Sequence, residues 1–195
     1  MAGYGAIAAT GQALLGLLAE GAPKPEFANA RFELYQASDL VHPFDEGVSL
    51  YLHRVTVNGT QRNMPPRVLA DGRRFRPGLP IDLHYLVIPW AKDAVKQQRL
   101  LGWCMRAIED TPILPSGLLN HYGPESDTFS PEETVELIFD PLSMQDLMNI
   151  WDAFKPTFQV SAAYIARMVV LDSPIEIPSG ASIQTRIFDH AAAPQ

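Results

Sequence analysis

Cysteine is nearly absent from this chain of 195 residues: Cys104 stands alone, which excludes an intrachain disulfide and favours a cytosolic origin. Charge of one sign is missing over long stretches. No Lys or Arg precedes Lys24, so the positive opening of a secretion signal is lacking and an unprocessed chain is expected. No apolar run approaches the roughly 20 residues that span a bilayer, so membrane insertion is not expected and a soluble protein is. Residues 107–154 hold 10 acidic and no basic groups, against 12 basic and 9 acidic in residues 1–106 and 3 of each in residues 155–195. With a formal net charge of −7 and a pI near 5.1, the chain lacks the basic field that nucleic acid requires. Separated positive and negative stretches instead suit contact between copies, although a solvated acidic face explains the block equally well.

Catalytic and ligating patterns are also missing. No serine lies in a nucleophile elbow, and the histidines are scattered at 42, 53, 84, 121 and 190. Adjacent carboxylates such as Glu109 with Asp110 and Glu132 with Glu133 diverge on any regular element. Asp39, His42, Asp45 and Glu46 fall in a proline-containing loop with no register to hold a metal. The glycines of GYGAIAATG follow no strand and have the wrong spacing for a nucleotide loop. Cys104 lies on an apolar helical stripe and reads as a small buried hydrophobe. Neither a metal, a cofactor nor a catalytic residue is expected.

What is present begins with Ile81 to Asp110. Ile81, Leu83, Tyr85 and Val87 alternate with Asp82, His84, Leu86 and Ile88, the period of a strand covered on both faces, and Pro89 is expected to end its ladder. A helix of roughly 19 residues, about 28 Å, follows, with Ala94, Leu100, Leu101, Cys104, Met105 and Ile108 along its apolar flank. Before it come an amphipathic helix (Tyr4 to Leu18, stopped by Gly21 and Pro23) and strands at Arg31 to Tyr35 and Val48 to Val57. The second of these sets Val48, Leu50 and Leu52 against Ser49, Tyr51, His53 and Val55.

After the long helix, Pro112 and Pro115 break the chain and Leu118 to Pro131 reads as a loop. Thr134 to Phe139 is a short strand. Ser143 and Asp146 form a capping box, with Leu142 as staple, for a helix bearing Met144, Leu147, Met148, Trp151 and Phe154. Pro156 stops it, and Val160 to Leu171 is the last long strand, with Ala162, Tyr164, Ala166, Met168 and Val170 on one face. Beyond lie a short strand-like SIQTRIF and the tail AAAPQ. The order α-β-β-β-α-β-α-β makes one α/β domain whose mixed, mostly antiparallel sheet is flanked by helices.

Two features point to partners. Asn58 to Pro80 is a connection with four prolines and three glycines, long for a compact domain, and it carries Arg62, Arg67, Arg73, Arg74 and Arg76 with Asp71 as its one acid. It reads either as a docking arm for an acidic surface or as a loop kept solvated by its charge. Trp103 lies off the apolar stripe among Lys96, Arg99 and Asp110, the setting of an interface anchor or of a residue covered by another element of the chain.

VSLYLHRVTVNGTQRNMPPR (Val48 to Arg67), followed by LPIDLHYLVIPWAKDAVKQQRLLGWCMRAIEDTPIL (Leu79 to Leu114), resembles the N-terminal domain of the tail-cap, or tail-terminator, proteins of contractile injection systems. The likeness rests on the strand and turn into NG, RN and PPR, the LHYL strand, and the D-P-L of Asp110, Pro112 and Leu114 closing the helix. It reaches to Trp151, Ser161 and Tyr164, and departs at Ile88-Pro89-Trp90, where small polar residues are expected. It implies a cap domain over 1–172, a C-terminal extension over 173–195, and no enzymatic activity. It further implies a homohexameric ring closing the baseplate-distal end of inner tube and sheath, with the inner tube protein and sheath protein as partners. Assembly in the cytoplasm, within a phage-tail-like particle open to release from the cell, goes with it. The alternative from the residues alone is a small-ligand or peptide-binding regulatory module.

Overall fold

The structure is a computed structural model that describes residues 2–152 and 158–178. In chain order its elements are α1 (Ala6–Gly21), β1 (Arg31–Tyr35), a 3-10 turn (Asp39–Val41), β2 (Gly47–Val57), β3 (Arg67–Val68), β4 (Arg74–Phe75), β5 (Leu79–Trp90), α2 (Ala94–Asp110), β6 (Ile113–Pro115), α3 (Ser116–Tyr122), β7 (Thr134–Phe139), α4 (Met144–Asp152) and β8 (Ala162–Leu171). Six strands form one sheet in the order β1-β2-β5-β8-β7-β6, and β3 pairs with β4 in a separate ribbon. Only β1 and β2 run parallel; the other neighbours are antiparallel. The expected mixed, mostly antiparallel α/β sheet is what forms.

The alternation along β5 divides the molecule into two cores. Ile81, Leu83, Tyr85 and Val87 join Leu14 and Leu18 of α1, Leu100, Cys104 and Ile108 of α2, and Leu119 of α3 in the larger one. Leu86, Ile88 and Trp90 meet Trp151, Leu147 and Ile150 of α4 in the smaller. Burial pushes the Cys104 thiol up to about 12, as expected of an inert core cysteine. Asp93 caps α2 by accepting from the Lys96 amide (2.8 Å), and Ser143 caps α4 by accepting from the Asp146 amide (3.1 Å).

Several expectations give way. β5 runs past Pro89, which pairs with Val48; the pairing of β5 with β8 ends at Val87, so the missing N–H of Pro89 deprives no partner. The break at Pro112 and Pro115 holds β6, and α3 runs into the start of the stretch read as a loop over Leu118 to Pro131; both elements are too short to show a period in sequence. Bulges break two alternations. In β2 the register shifts between Leu52 and Arg54, which sets Val55 opposite Leu83 rather than on the side of Tyr51 and His53. In β8 the pairing skips from Ala166 to Val169, with Met168 at φ +62°, so that Val169 rather than Met168 continues the buried row. On the helices, Met105, Met144 and Met148 are exposed, not stripe residues facing a core. SIQTRIF, Phe154, Pro156 and the tail fall outside the described residues.

α1 meets α3 across Gly16, where an added Cβ would lie 2.4 Å from the Tyr122 ring. Gly→Ala inside a helix ordinarily stabilises by about 1 kcal/mol. Here Gly16→Ala is expected to lower the thermal unfolding midpoint, since overpacking costs about 1–3 kcal/mol. A midpoint raised by the substitution would show that Tyr122 yields freely.

Candidate functional site

The long connection after β2 is a built arm. Its root is Asn58, buried where β2 ends. The Asn58 side-chain oxygen accepts from the amides of Thr60 (3.0 Å) and Gln61 (3.3 Å), and its Nδ2 donates to both oxygens of Asp82 (3.1 and 3.0 Å). Asp82 Oδ1 also accepts from the Met168 amide (3.0 Å), so the β8 bulge, β5 and the arm share one carboxylate. Farther out, β3 and β4 are joined by a turn with Gly72 at φ +85°, a conformation that favours glycine. The ribbon gains a third strand-like edge from residues 175–177: the Arg76 amide donates to Ile175 O (2.9 Å) and the Ile177 amide to Arg74 O (2.7 Å). The first residues of the expected C-terminal extension are thus paired to the arm.

The arginines divide by role. Arg67 lies over the buried Phe75 ring (4.9 Å) and reaches Asp172 (3.6 Å). The Asp172 carboxyl is raised by burial, against the lowering pull of Arg67. Arg73 flanks the same ring (5.6 Å) and bonds Asp71 (2.7 Å), which holds that exposed carboxyl below its usual range. Both hold the ribbon's shape. Arg62, Arg74 and Arg76 are exposed and form no ion pair among the described residues.

Trp103 is half-buried. Its ring meets Phe27 (6.3 Å) and Phe32 (6.2 Å, edge to face), with Gly21 beneath it, so the residue joins α2 to the end of α1 and to β1. Helical geometry placed it off the main stripe correctly, yet could not show that a second strip of the same chain covers that flank. Trp103→Ala is expected to lower stability by about 2 kcal/mol, part of the ~3–5 kcal/mol of a fully buried aromatic truncation, in a denaturant melt. An unchanged melt would leave contact with another molecule as the whole role of the ring.

The acidic block is partly satisfied within the chain. Asp110 pairs with Arg106 and Glu136 with Arg167, Glu133 accepts from the amide and hydroxyl of Ser130, and Asp146 accepts from the Ser143 hydroxyl. Asp140 belongs to a polar seam that sequence spacing did not reveal. The buried His84 bonds Asp140 Oδ2 through Nδ1 (3.0 Å) and Thr56 Oγ1 through Nε2 (3.1 Å), and Arg54 Nη2 lies 3.2 Å from Nδ1. A proton on Nδ1 donates to Asp140 and leaves Nε2 to accept from Thr56.

The chain hydroxyl, imidazole, carboxylate has the order of a nucleophilic relay. Its surroundings do not suit one: Thr56 lies within the β2–β5 ladder opposite Asp82, and neither Thr56 nor His84 lines the neighbouring groove of about 520 Å3, which His53, Arg54, Asp140, Asp146 and Ile150 border. The seam ties β2, β5 and the end of β7 together. Among the described residues no group of His, Cys, Asp and Glu is gathered to hold a metal, and no helix is long and apolar enough to cross a membrane.

His53 stands beside the seam, 6.0 Å from the His84 ring, with Nε2 buried and without a hydrogen-bond partner among the described residues. Burial, then the charges of His84 and Arg54, bring it from 6.5 down to about 4, against the opposing pull of Asp140. Above pH 6.5 the ring is neutral folded or unfolded. As pH falls from about 6.5 to 4 the unfolded chain takes up a proton that the fold refuses, so stability is expected to drop across that window. His53→Gln should flatten this part of a stability–pH curve measured by denaturant melts; an unchanged slope would exclude His53 as its source.

The domain is thus a mixed sheet between α1, α2 and α3 on one face and α4 on the other, with an arginine-bearing arm rooted where β5 begins. The model of the Pvc16 N-terminal domain matches residues 9–185, and the chain belongs to that family. No curated protein matches it in sequence. Among solved structures it is similar to the sheath/tube terminator, in its extended state, of PVC, an extracellular contractile injection system. That likeness has a TM-score of 0.65 and 14% identity, and it covers 97% of this chain and 65% of that one. The anti-feeding prophage cap, a tube-terminating cap, aligns with a TM-score of 0.49 and 13% identity over 73% of this chain and 50% of that one. This chain therefore spans under two thirds of either neighbour's length.

Proposed function

We propose that this chain is a structural cap of a contractile injection system, closing the baseplate-distal end of the inner tube and sheath as a homohexameric ring, without catalytic activity. The family match across most of the chain carries this reading. The exposed guanidinium groups of Arg62, Arg74 and Arg76 on a ribbon anchored through Asn58 and Asp82 support it, because a rooted cationic arm suits assembly more than solvation does. Within this reading Arg67 and Arg73 shape the arm, and the outer edge of Trp103 is a further contact surface. Tube and sheath proteins are the partners, in a particle assembled in the cytoplasm.

For the binding-module alternative, a cleft of about 720 Å3 lies beside Arg31, Phe44, Asp45, Lys92 and Lys96. Its charges already pair, Lys92 with Asp45 (2.9 Å) and Lys96 with Glu46 (2.7 Å), which leaves little to recognise a ligand.

Deletion of the chain from a producing strain is expected to leave tubes or sheaths of uncontrolled length or stability, seen by negative-stain microscopy. Particles of normal length with closed ends would overturn the reading. Arg62→Glu, Arg74→Glu and Arg76→Glu together should abolish capping, and raised salt should weaken wild-type assembly, since exposed pairs are screened within about 8 Å at physiological ionic strength. Normal capping by the triple variant, with no salt dependence, would reduce the arm to a solvated ribbon.

A further inference from the structure

Two surfaces are covered by no other element among the described residues and are opposite in character. The arm is cationic and apolar: Arg62, Arg74 and Arg76 are exposed together with Val68, Leu79 and Ile175. The outward side of α4 is apolar and acidic, presenting Met144 and Met148 with Gln145 and Asp152, while Leu147, Ile150 and Trp151 face the sheet and Asp146 lies on the flank towards the His53–Arg54 groove. Residues 140–152 contain Asp140, Asp146 and Asp152 and no basic group; residues 58–80 contain five arginines and one acid.

The two surfaces cannot meet within one chain. The arm leaves the sheet where β5 begins at Leu79, whereas α4 packs on Leu86, Ile88 and Trp90 near the other end of that strand. At about 3.3 Å per residue, the span from Leu79 to Ile88 is roughly 30 Å. A contact between unlike patches of the same molecule is heterologous, and repeated head to tail it forms a ring where its rotation closes and an open filament where it does not.

We propose that the arm of one copy docks on the outward side of α4 of the next, with Val68 and Ile175 against Met144 and Met148, and Arg74 and Arg76 towards Asp152 and the neighbouring Gln145. This rests on the capping reading and supplies the contact that would build its ring. The apolar residues exclude water, and the like charges on each patch forbid arm-to-arm and α4-to-α4 pairing. Methionine at the contact suits it, since an unbranched thioether fills an irregular partner surface.

The test is a cysteine pair. A chain carrying Val68→Cys and Met148→Cys, both at exposed positions, is oxidised in assembled particles; the buried Cys104, its thiol pushed up to about 12, does not compete. A ladder of covalent oligomers is expected on a non-reducing gel from the double variant, and monomer from each single variant. Dimers from Met148→Cys alone, or only monomer from the double variant in capped particles, would overturn the contact. In parallel, Arg74→Glu with Arg76→Glu should weaken self-association roughly tenfold or more, and adding Gln145→Arg with Asp152→Arg should restore it. Failure of restoration overturns the pairing. Capping by the unsubstituted chain is scored separately by microscopy: capped particles without cross-links reject this contact and keep the cap, whereas uncapped control particles reject both.

Discussion

Covering β5 on both faces is the constraint on which the rest of the structure depends. A central strand with Leu83, Tyr85 and Val87 on one side and Leu86, Ile88 and Trp90 on the other cannot leave either side wet, because burying each large side chain contributes about 1.5–3 kcal/mol. Three helices answer the first side. Among the described residues, α4 covers the second towards the Trp90 end. Towards the other end that side turns polar: Asp82 and His84 take the positions that hydrophobes hold farther along, and each is matched by named partners on or just beyond β2, β7 and β8. The polar seam and the arm's root thus share the face of β5 that α4 packs on farther along.

That division was visible in sequence because the period-two pattern of β5 is unbroken, and an alternation specifies its own faces whatever lies against them. Its neighbours were less legible. The bulges at Leu52–Arg54 in β2 and after Ala166 in β8 each shift the side-chain row by one, and no residue type announces the position where a ladder slips. Met168 at φ +62° is the opposite of what a search for glycine or asparagine would find. Its amide is held by Asp82, from a strand 86 residues away, so a tertiary bond fixes a conformation that local preference disfavours.

The site followed the same rule. The arginine density between 62 and 76 is a local count and could be read directly, whereas the split of those arginines into structural and outward-facing ones depends on Phe75 and Asp172, contacts that no spacing predicts. The His84–Asp140 bond joins residues 56 apart, and a lone histidine on a strand gave no sign of it. The methionines of α4 misled in the other direction. Met144 and Met148 fit the helical period of a core stripe, yet the smaller core is filled by Leu147, Ile150 and Trp151, one flank of the helix rather than its full apolar arc.

Charge and apolar surface have different work in an assembly of such domains, and their magnitudes decide which. An exposed ion pair contributes about 0–1 kcal/mol and is screened by salt, so three arginines cannot by themselves hold a copy in place. Exposed apolar side chains contribute about 25 cal/mol per Å2 removed from water, but without direction. Where both occur on one patch, burial supplies affinity while charge selects the partner face and excludes self-pairing. The fold keeps these patches at opposite ends of β5 and rigidly so, one through the Asn58–Asp82–Met168 bonds and the other through Trp151 in the smaller core. A rigid arm loses little entropy on docking, so a small contact repeated around a closed ring can hold where the same contact between free monomers would not.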